Sequence, residues 1–210
     1  MAYIYIGDIE IFRDTDEYLT AISNLSKERR NKALSYKNDN DKLLSVMAGT
    51  LLEKAMDDFN CHYPLIRDGL GYLHSGGGNR KFFSLSHSGN LAVCVVSDKN
   101  IGIDIEASDR FDNARYLNTE LGFVKKILSE PEKEYFKQNC NTDTISRIWT
   151  RKESYSKILG KGIAMDLRTI NTLDEALYNS FNVEDFLGNV YMVSIAGEDT
   201  IVERVIDYCI

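Results

Sequence analysis

Residues 91–106 constrain the fold more than any other stretch. The unbroken apolar run Leu91-Ala92-Val93-Cys94-Val95-Val96 reads as a buried strand, and Ile101-Gly102-Ile103-Asp104-Ile105-Glu106 alternates apolar with polar or small residues. The polar residues Ser97-Asp98-Lys99-Asn100 lie between them, so the two segments predict a hairpin of core strands. Neither run is long enough to span a bilayer, and no basic region followed by an apolar stretch opens the chain, which predicts neither secretion nor membrane insertion.

Other elements follow from periodicity and end signals. Tyr3-Ile4-Tyr5-Ile6, with Ile9 and Ile11, predicts a first core strand. Ser26 is placed to cap a helix starting at Lys27, and Leu44, Ala48, Leu51, Leu52, Ala55, Met56 and Phe59 recur at helical intervals between Asp41 and Phe59. Gly69, Gly71 and the run Gly76-Gly77-Gly78 separate two short strands, Tyr72-Leu73 and Phe82–Leu85; no Gly-Lys-Ser/Thr follows, so the triple glycine is not a phosphate loop. Ser129-Glu130-Pro131-Glu132 has capping-box spacing. A further helix opens at Asn141 or Thr142 and runs to Leu159, with Gly160 as its left-handed cap.

The 210 residues are enough to bury a sizeable core. The formal charge of −7 argues against a general nucleic-acid binder. That charge is unevenly placed: residues 1–164 hold 23 basic and 23 acidic side chains, whereas 165–210 hold two and nine. The acidic segment is expected to lie away from any anionic ligand. Cys61, Cys94, Cys140 and Cys209 form no C-x-x-C pair, which predicts reduced thiols in the cytoplasm rather than a zinc or disulfide site.

Four groups of residues could carry chemistry. On the 101–106 strand, Gly102, Asp104 and Glu106 share one face, and carboxylates two residues apart stand roughly 7 Å apart at their Cα atoms, close enough to converge on one hard cation. Gly102 would let a ligand approach the backbone beside them. In Trp149-Thr150-Arg151-Lys152-Glu153-Ser154-Tyr155-Ser156-Lys157, positions 149, 153 and 157 share a helix face; the plainer reading is a Glu-to-Lys pair on a solvated helix with Trp149 in the core. In Ser84-Leu85-Ser86-His87-Ser88-Gly89 a histidine among hydroxyls could take a phosphate, while Ser86 and His87 face opposite ways and cannot easily form a catalytic pair. Arg29, Arg30 and Lys32 crowd a helix start, where a phosphate would also meet backbone N–H groups.

Taken together and in order, Phe-Ser-Leu-Ser-His-Ser-Gly (83–89), Gly-Ile-Asp-Ile-Glu (102–106) and Trp-Thr-Arg-Lys-Glu-Ser-Tyr-Ser-Lys (149–157) resemble the signature of the surfactin-type 4′-phosphopantetheinyl transferases; Asp104 and Glu153 are 49 residues apart. The resemblance runs from the Ser26 segment to Gly160-Lys161-Gly162. It departs from the family where a Gly-Lys-Pro segment is usual, here Gly69-Leu70-Gly71, and at the start of the long helix, where Lys42 or Leu44 followed by Ser45 replaces an arginine.

The resemblance implies an α+β fold of two similar lobes related by a pseudo-twofold axis, taken as 1–103 and 104–210, with coenzyme A between them. It implies a monomer that moves phosphopantetheine from coenzyme A to a serine of an apo acyl or peptidyl carrier protein and releases adenosine 3′,5′-bisphosphate. By the same resemblance Asp104, Glu106 and Glu153 hold Mg²⁺. Lys152 and Lys157 offset phosphate charge, and Arg29, Lys32, Ser45, Ser86 and His87 surround the nucleotide phosphate. Glu153 or Glu132 takes the serine proton, although Glu132 is also the third residue of the capping box. A metal-dependent phosphodiesterase or nuclease, and a non-catalytic relative that binds coenzyme A or a carrier, are the rival readings.

Overall fold

A computed structural model describes residues 1–61, 65–67, 73–76, 80–113, 116–118, 122–160 and 165–198, and the backbone of 202–208. Gly69-Leu70-Gly71, Tyr72, Gly77, Gly78, Lys161, Gly162 and Cys209 therefore lie outside the described residues.

The first strand, β1 (Ala2–Asp8), ends where Asp8 accepts the Glu10 amide and turns the chain into a 3-10 helix over Ile9–Arg13. Ile9 and Ile11 thus belong to a helical turn, not to the expected strand. Helix α1 (Thr15–Asn24) is followed by α2 (Lys27–Ser35), where Ser26 Oγ accepts the Arg29 amide, and by α3 (Asp39–Asp58), capped by Asn38. The apolar stripe of α3 packs on one face of a sheet ordered β2 (Leu65–Arg67), β3 (Leu73–Ser75), β4 (Phe82–Ser88), β5 (Leu91–Ser97), β1 and β9 (Val202–Tyr208). Only β1 and β9 pair in parallel.

The second sheet is ordered β6 (Ile101–Ala107), β8 (Val190–Gly197), β7 (Tyr178–Glu184). The expected hairpin is therefore not formed. β5 pairs with β1 and β4, whereas β6 pairs with β8, so the 97–100 turn passes the chain from one sheet to the other. The two strands meet through side chains instead: Ile4, Ile6, Val93 and Val95 of the first sheet interleave with Ile103, Ile105, Val193 and Ile195 of the second. The expected boundary at 103/104 falls inside β6, and β9 returns to the first sheet.

Helix α4 (Gly122–Ile127) and α5 (Glu130–Gln138) precede α6 (Thr142–Ile158), which covers the outer face of the second sheet. Asn141 Oδ1 accepts the Thr144 amide at its start, and Gly160, with φ 63°, follows its end. Small residues face the sheet at Ser146, Thr150 and Ser154, with their hydroxyls turned onto their own helix's carbonyls. Contact is so close that a Cβ on Gly102 would stand 1.9 Å from the Ser154 carbonyl oxygen. What approaches Gly102 is thus the α6 backbone, not a ligand.

Glu132 and Lys152 form an ion pair at 2.7 Å with neither side chain exposed. One Glu132 oxygen also takes the Ser129 amide and hydroxyl, and the other takes the amide and hydroxyl of Thr172. The Lys152 ammonium donates to the carbonyls of Leu167 and Ile170. The pair thereby fastens the 167–172 segment to α5 and α6. Among the described residues no helix is long and apolar enough to cross a membrane.

Two outcomes check this packing. Lys152→Met leaves the Glu132 charge buried without its partner and should cost about 3–5 kcal/mol, read as a lower urea midpoint. Gly102→Ala must push helix backbone off the sheet and should cost about 1–3 kcal/mol or more by the same measurement.

Candidate active site

β4 and β6 run side by side in the same direction where the two sheets meet. Ser84 Oγ accepts the Ile103 amide at 3.2 Å, Ser86 Oγ donates to Asp104 Oδ1 at 2.7 Å, and Ser88 Oγ donates to Glu106 Oε2 at 2.9 Å. Alternation on β4 produces this row, and the same alternation turns His87 to the opposite face, toward α2 and α3. Lys157 closes the junction, since its ammonium reaches Leu85 O at 3.3 Å, Ile103 O at 2.7 Å and Asp104 Oδ1 at 2.9 Å.

Helix α6 crosses this edge with Trp149, Glu153 and Lys157 in a row. Trp149 Nε1 donates to Glu106 Oε1 at 3.3 Å, and Arg110 pairs with the same oxygen while its guanidinium lies 5.2 Å from the Trp149 ring centroid. Glu153 is buried; its Oε1 and Asp104 Oδ2 are buried oxygens without a hydrogen-bond partner. Burial, followed by the neighbouring Asp104 charge, pushes the Glu153 carboxyl up to about 7, against the pull of Lys157 and Arg110. The solvated Glu-to-Lys pair is not what forms: Glu153 is inside, and Lys157 pairs with Asp104.

A cavity of about 870 Å³ opens beside this edge. Six residues expected to bind coenzyme A line it: Arg29 and Lys32 from α2, Ser45 from α3, Ser86 and His87 from β4, and Lys157 from α6. Lys152 and Glu132 are not among its walls, and both are consumed by the buried pair described above. That is a correction for both: full burial and complete hydrogen bonding leave Lys152 no reach toward a phosphate and Glu132 no reach toward a serine.

Desolvation, with Arg29 and Arg67 nearby, holds the Lys32 ammonium below its ordinary pKa. His87 is likewise held below its usual value by desolvation first, then by Lys157, with Lys32 and Arg29 adding to it and Asp41 opposing. An arriving dianion would reverse both shifts. Arg67 and Tyr36 also line the cavity and were not anticipated; Arg67 sits on a three-residue strand, too short for any periodic signal. Among the described residues beyond Gly160, none lines the cavity.

Among the described residues no three His, Cys, Asp or Glu side chains are gathered as a metal-ligand group. Two unpartnered carboxylate oxygens, on Asp104 and Glu153, nevertheless suit a hard cation, which oxygen donors favour.

The order of these features along the chain matches a known family. The sequence model of the 4′-phosphopantetheinyl transferase superfamily matches residues 100–204, half of the chain. The chain belongs to that superfamily. Among curated relatives, the 4′-phosphopantetheinyl transferase gsp of Aneurinibacillus migulanus is 26% identical over 169 residues, covering 76% of this chain and 65% of that protein. A holo-[acyl-carrier-protein] synthase of Clostridium botulinum is 30% identical over 123 residues, 52% of this chain and 97% of its own length. The transferase Sfp of Bacillus subtilis is 31% identical over 88 residues, 40% of this chain and 36% of its own length. The chain therefore spans just under two thirds of the first of these relatives and about a third of the last. The superfamily match places β6, α5 and α6, and with them Asp104, Glu106 and Glu153, inside the shared region.

The Glu153 environment has a measurable sign. Its pKa is raised in the folded protein, so its contribution to stability is present below its unfolded value of about 4.3 and is lost as pH rises through about 7. Glu153→Gln should therefore be more stable than the parent at pH 8, by about 3–4 kcal/mol, and show no such advantage near pH 4, as read by urea denaturation across pH.

Proposed function

We propose that this chain transfers 4′-phosphopantetheine from coenzyme A to a serine of an apo acyl or peptidyl carrier protein. The serine oxygen forms a bond to the phosphorus that bears pantetheine, the bond from that phosphorus to the bridging oxygen breaks, and adenosine 3′,5′-bisphosphate leaves with that oxygen. The observation that carries this reading is one cavity with phosphate-binding side chains on one wall, Arg29, Lys32 and His87, and Lys157 on another beside Asp104.

Each residue has work that its surroundings support. Arg29, Lys32, Ser45 and His87 receive the 3′-phosphate, and the depressed pKa values of Lys32 and His87 favour a site that gains stability when an anion enters. Lys157 neutralises pyrophosphate charge, and the cavity's apolar wall of Leu52, Leu65 and Phe83 suits the nucleoside. Glu153, buried beside Asp104 with one oxygen left unpartnered, is placed to accept the serine proton. Asp104, Glu106 and Glu153 would hold Mg²⁺, which offsets the charge that develops on the leaving phosphate.

The reading extends to architecture. Each sheet carries one long helix, α3 on the first and α6 on the second, and we take these as two lobes related by a pseudo-twofold axis. One chain supplies both walls of the cavity, as a monomer would, and Cys61, Cys94 and Cys140 are free thiols, which suits the cytoplasm.

Incubation with coenzyme A, Mg²⁺ and a panel of apo carriers, followed by intact mass measurement, should show one added phosphopantetheine on at least one carrier. If no carrier gains mass while coenzyme A still raises the melting temperature, the protein binds without transferring; cleavage of a nucleic acid under the same conditions would favour the phosphodiesterase reading. Asp104→Ala should abolish transfer. His87→Ala should weaken coenzyme A about tenfold and leave dephospho-coenzyme A unchanged, whereas equal losses would remove His87 from the 3′-phosphate site.

A further inference from the structure

Ser84 and Ser86 line the cavity, and the row of hydroxyls they share with Ser88 also holds the edge of β6. Ser88 Oγ accepts the Ala107 amide at 3.1 Å, so its single proton is directed to Glu106 Oε2 at 2.9 Å. Glu106 is thereby gripped from both sides, with Oε2 on Ser88 and Oε1 on Trp149 and Arg110. Asp104 is gripped from one side only: Ser86 and Lys157 both occupy Oδ1, and Oδ2 is left buried without a partner. Ser84 completes the row but meets the backbone amide of Ile103 and no carboxylate.

We propose that Ser88, with Ser86, is a positioning residue that fixes how Asp104 and Glu106 present their oxygens to a divalent cation. The inference rests on the reading of these carboxylates as metal ligands. A carboxylate on a strand keeps its side-chain torsions free unless a neighbour holds them, and outer hydrogen bonds to metal-binding carboxylates are worth 10- to 100-fold in metal affinity. The amide of Ala107 makes the direction of the Ser88 hydroxyl a property of the backbone, so the strand geometry is passed on to the carboxylate.

Comparing Ser88→Ala with Ser84→Ala separates positioning from packing. Both variants lose one hydroxyl that receives a β6 amide, but only Ser88→Ala also releases a carboxylate oxygen, Glu106 Oε2. Mn²⁺ affinity, measured by electron paramagnetic resonance with coenzyme A present and no carrier, should fall 10- to 100-fold in Ser88→Ala and stay within about threefold of the parent in Ser84→Ala. In the transfer assay, the Mg²⁺ concentration for half-maximal rate should rise by the same factor in Ser88→Ala while kcat at saturating Mg²⁺ is kept. Unchanged Mn²⁺ affinity in Ser88→Ala, or equal losses in the two variants, would overturn the positioning role and leave the metal reading intact. A parent protein that binds no Mn²⁺ in any state would overturn the metal reading and this inference with it.

Discussion

The junction between β4 and β6 is the contact on which the rest of the molecule depends. β6 is the outer strand of a three-stranded sheet, and an outer strand presents backbone groups that need partners. They are met by side chains rather than by another strand: Ser84 and Ser88 take amides, and the Lys157 ammonium takes carbonyls from both strands. Two sheets can therefore abut without merging into one. Because the joining groups are side chains, the same atoms that close the sheet edge also hold the Asp104 and Glu106 carboxylates.

Local patterns were legible in the sequence where they belong to one element. The α3 stripe, the caps at Ser26, Asn141 and Gly160, and the shared face of Asp104 and Glu106 each follow from residues a few positions apart. The hairpin expected over 91–106 failed for a different reason. A polar four-residue connection fits a hairpin and a crossing between sheets equally well, and the partner of β6 lies some 90 residues downstream at β8. Nothing in the alternation of Ile101, Ile103 and Ile105 says which strand will stand beside them.

Charged residues misled for a related cause. Lys152 and Glu132 were expected at the site because they stand at motif positions of the resembling family, and a motif does not say which way a side chain on a helix points. They are 20 positions apart and satisfy each other, with carbonyls and hydroxyls taking the remaining valences. Glu153 and Lys157, one and five positions beyond Lys152 on α6, face the opposite demand. Helix phase separates the two kinds of charge: Lys152 points into the packing with α5 and the 167–172 segment, while Glu153 turns toward Asp104 with an oxygen left over. The buried polar face of α6, made of Ser146, Thr150 and Ser154, also carries no apolar signal, although it is the face that lies closest to the sheet.

Trp149 is the chain's single tryptophan, and its indole N–H rests on Glu106 while Arg110 lies over its ring and Phe123 beside it. Every photon of indole emission from this protein thus originates at the carboxylate edge. Changes in ionisation or hydrogen bonding at Glu106, or in the distance to the Arg110 guanidinium, alter the dipole field around that one ring. The fold carries its own optical sensor, tuned to the atoms that the junction holds in place and silent about the rest of the core.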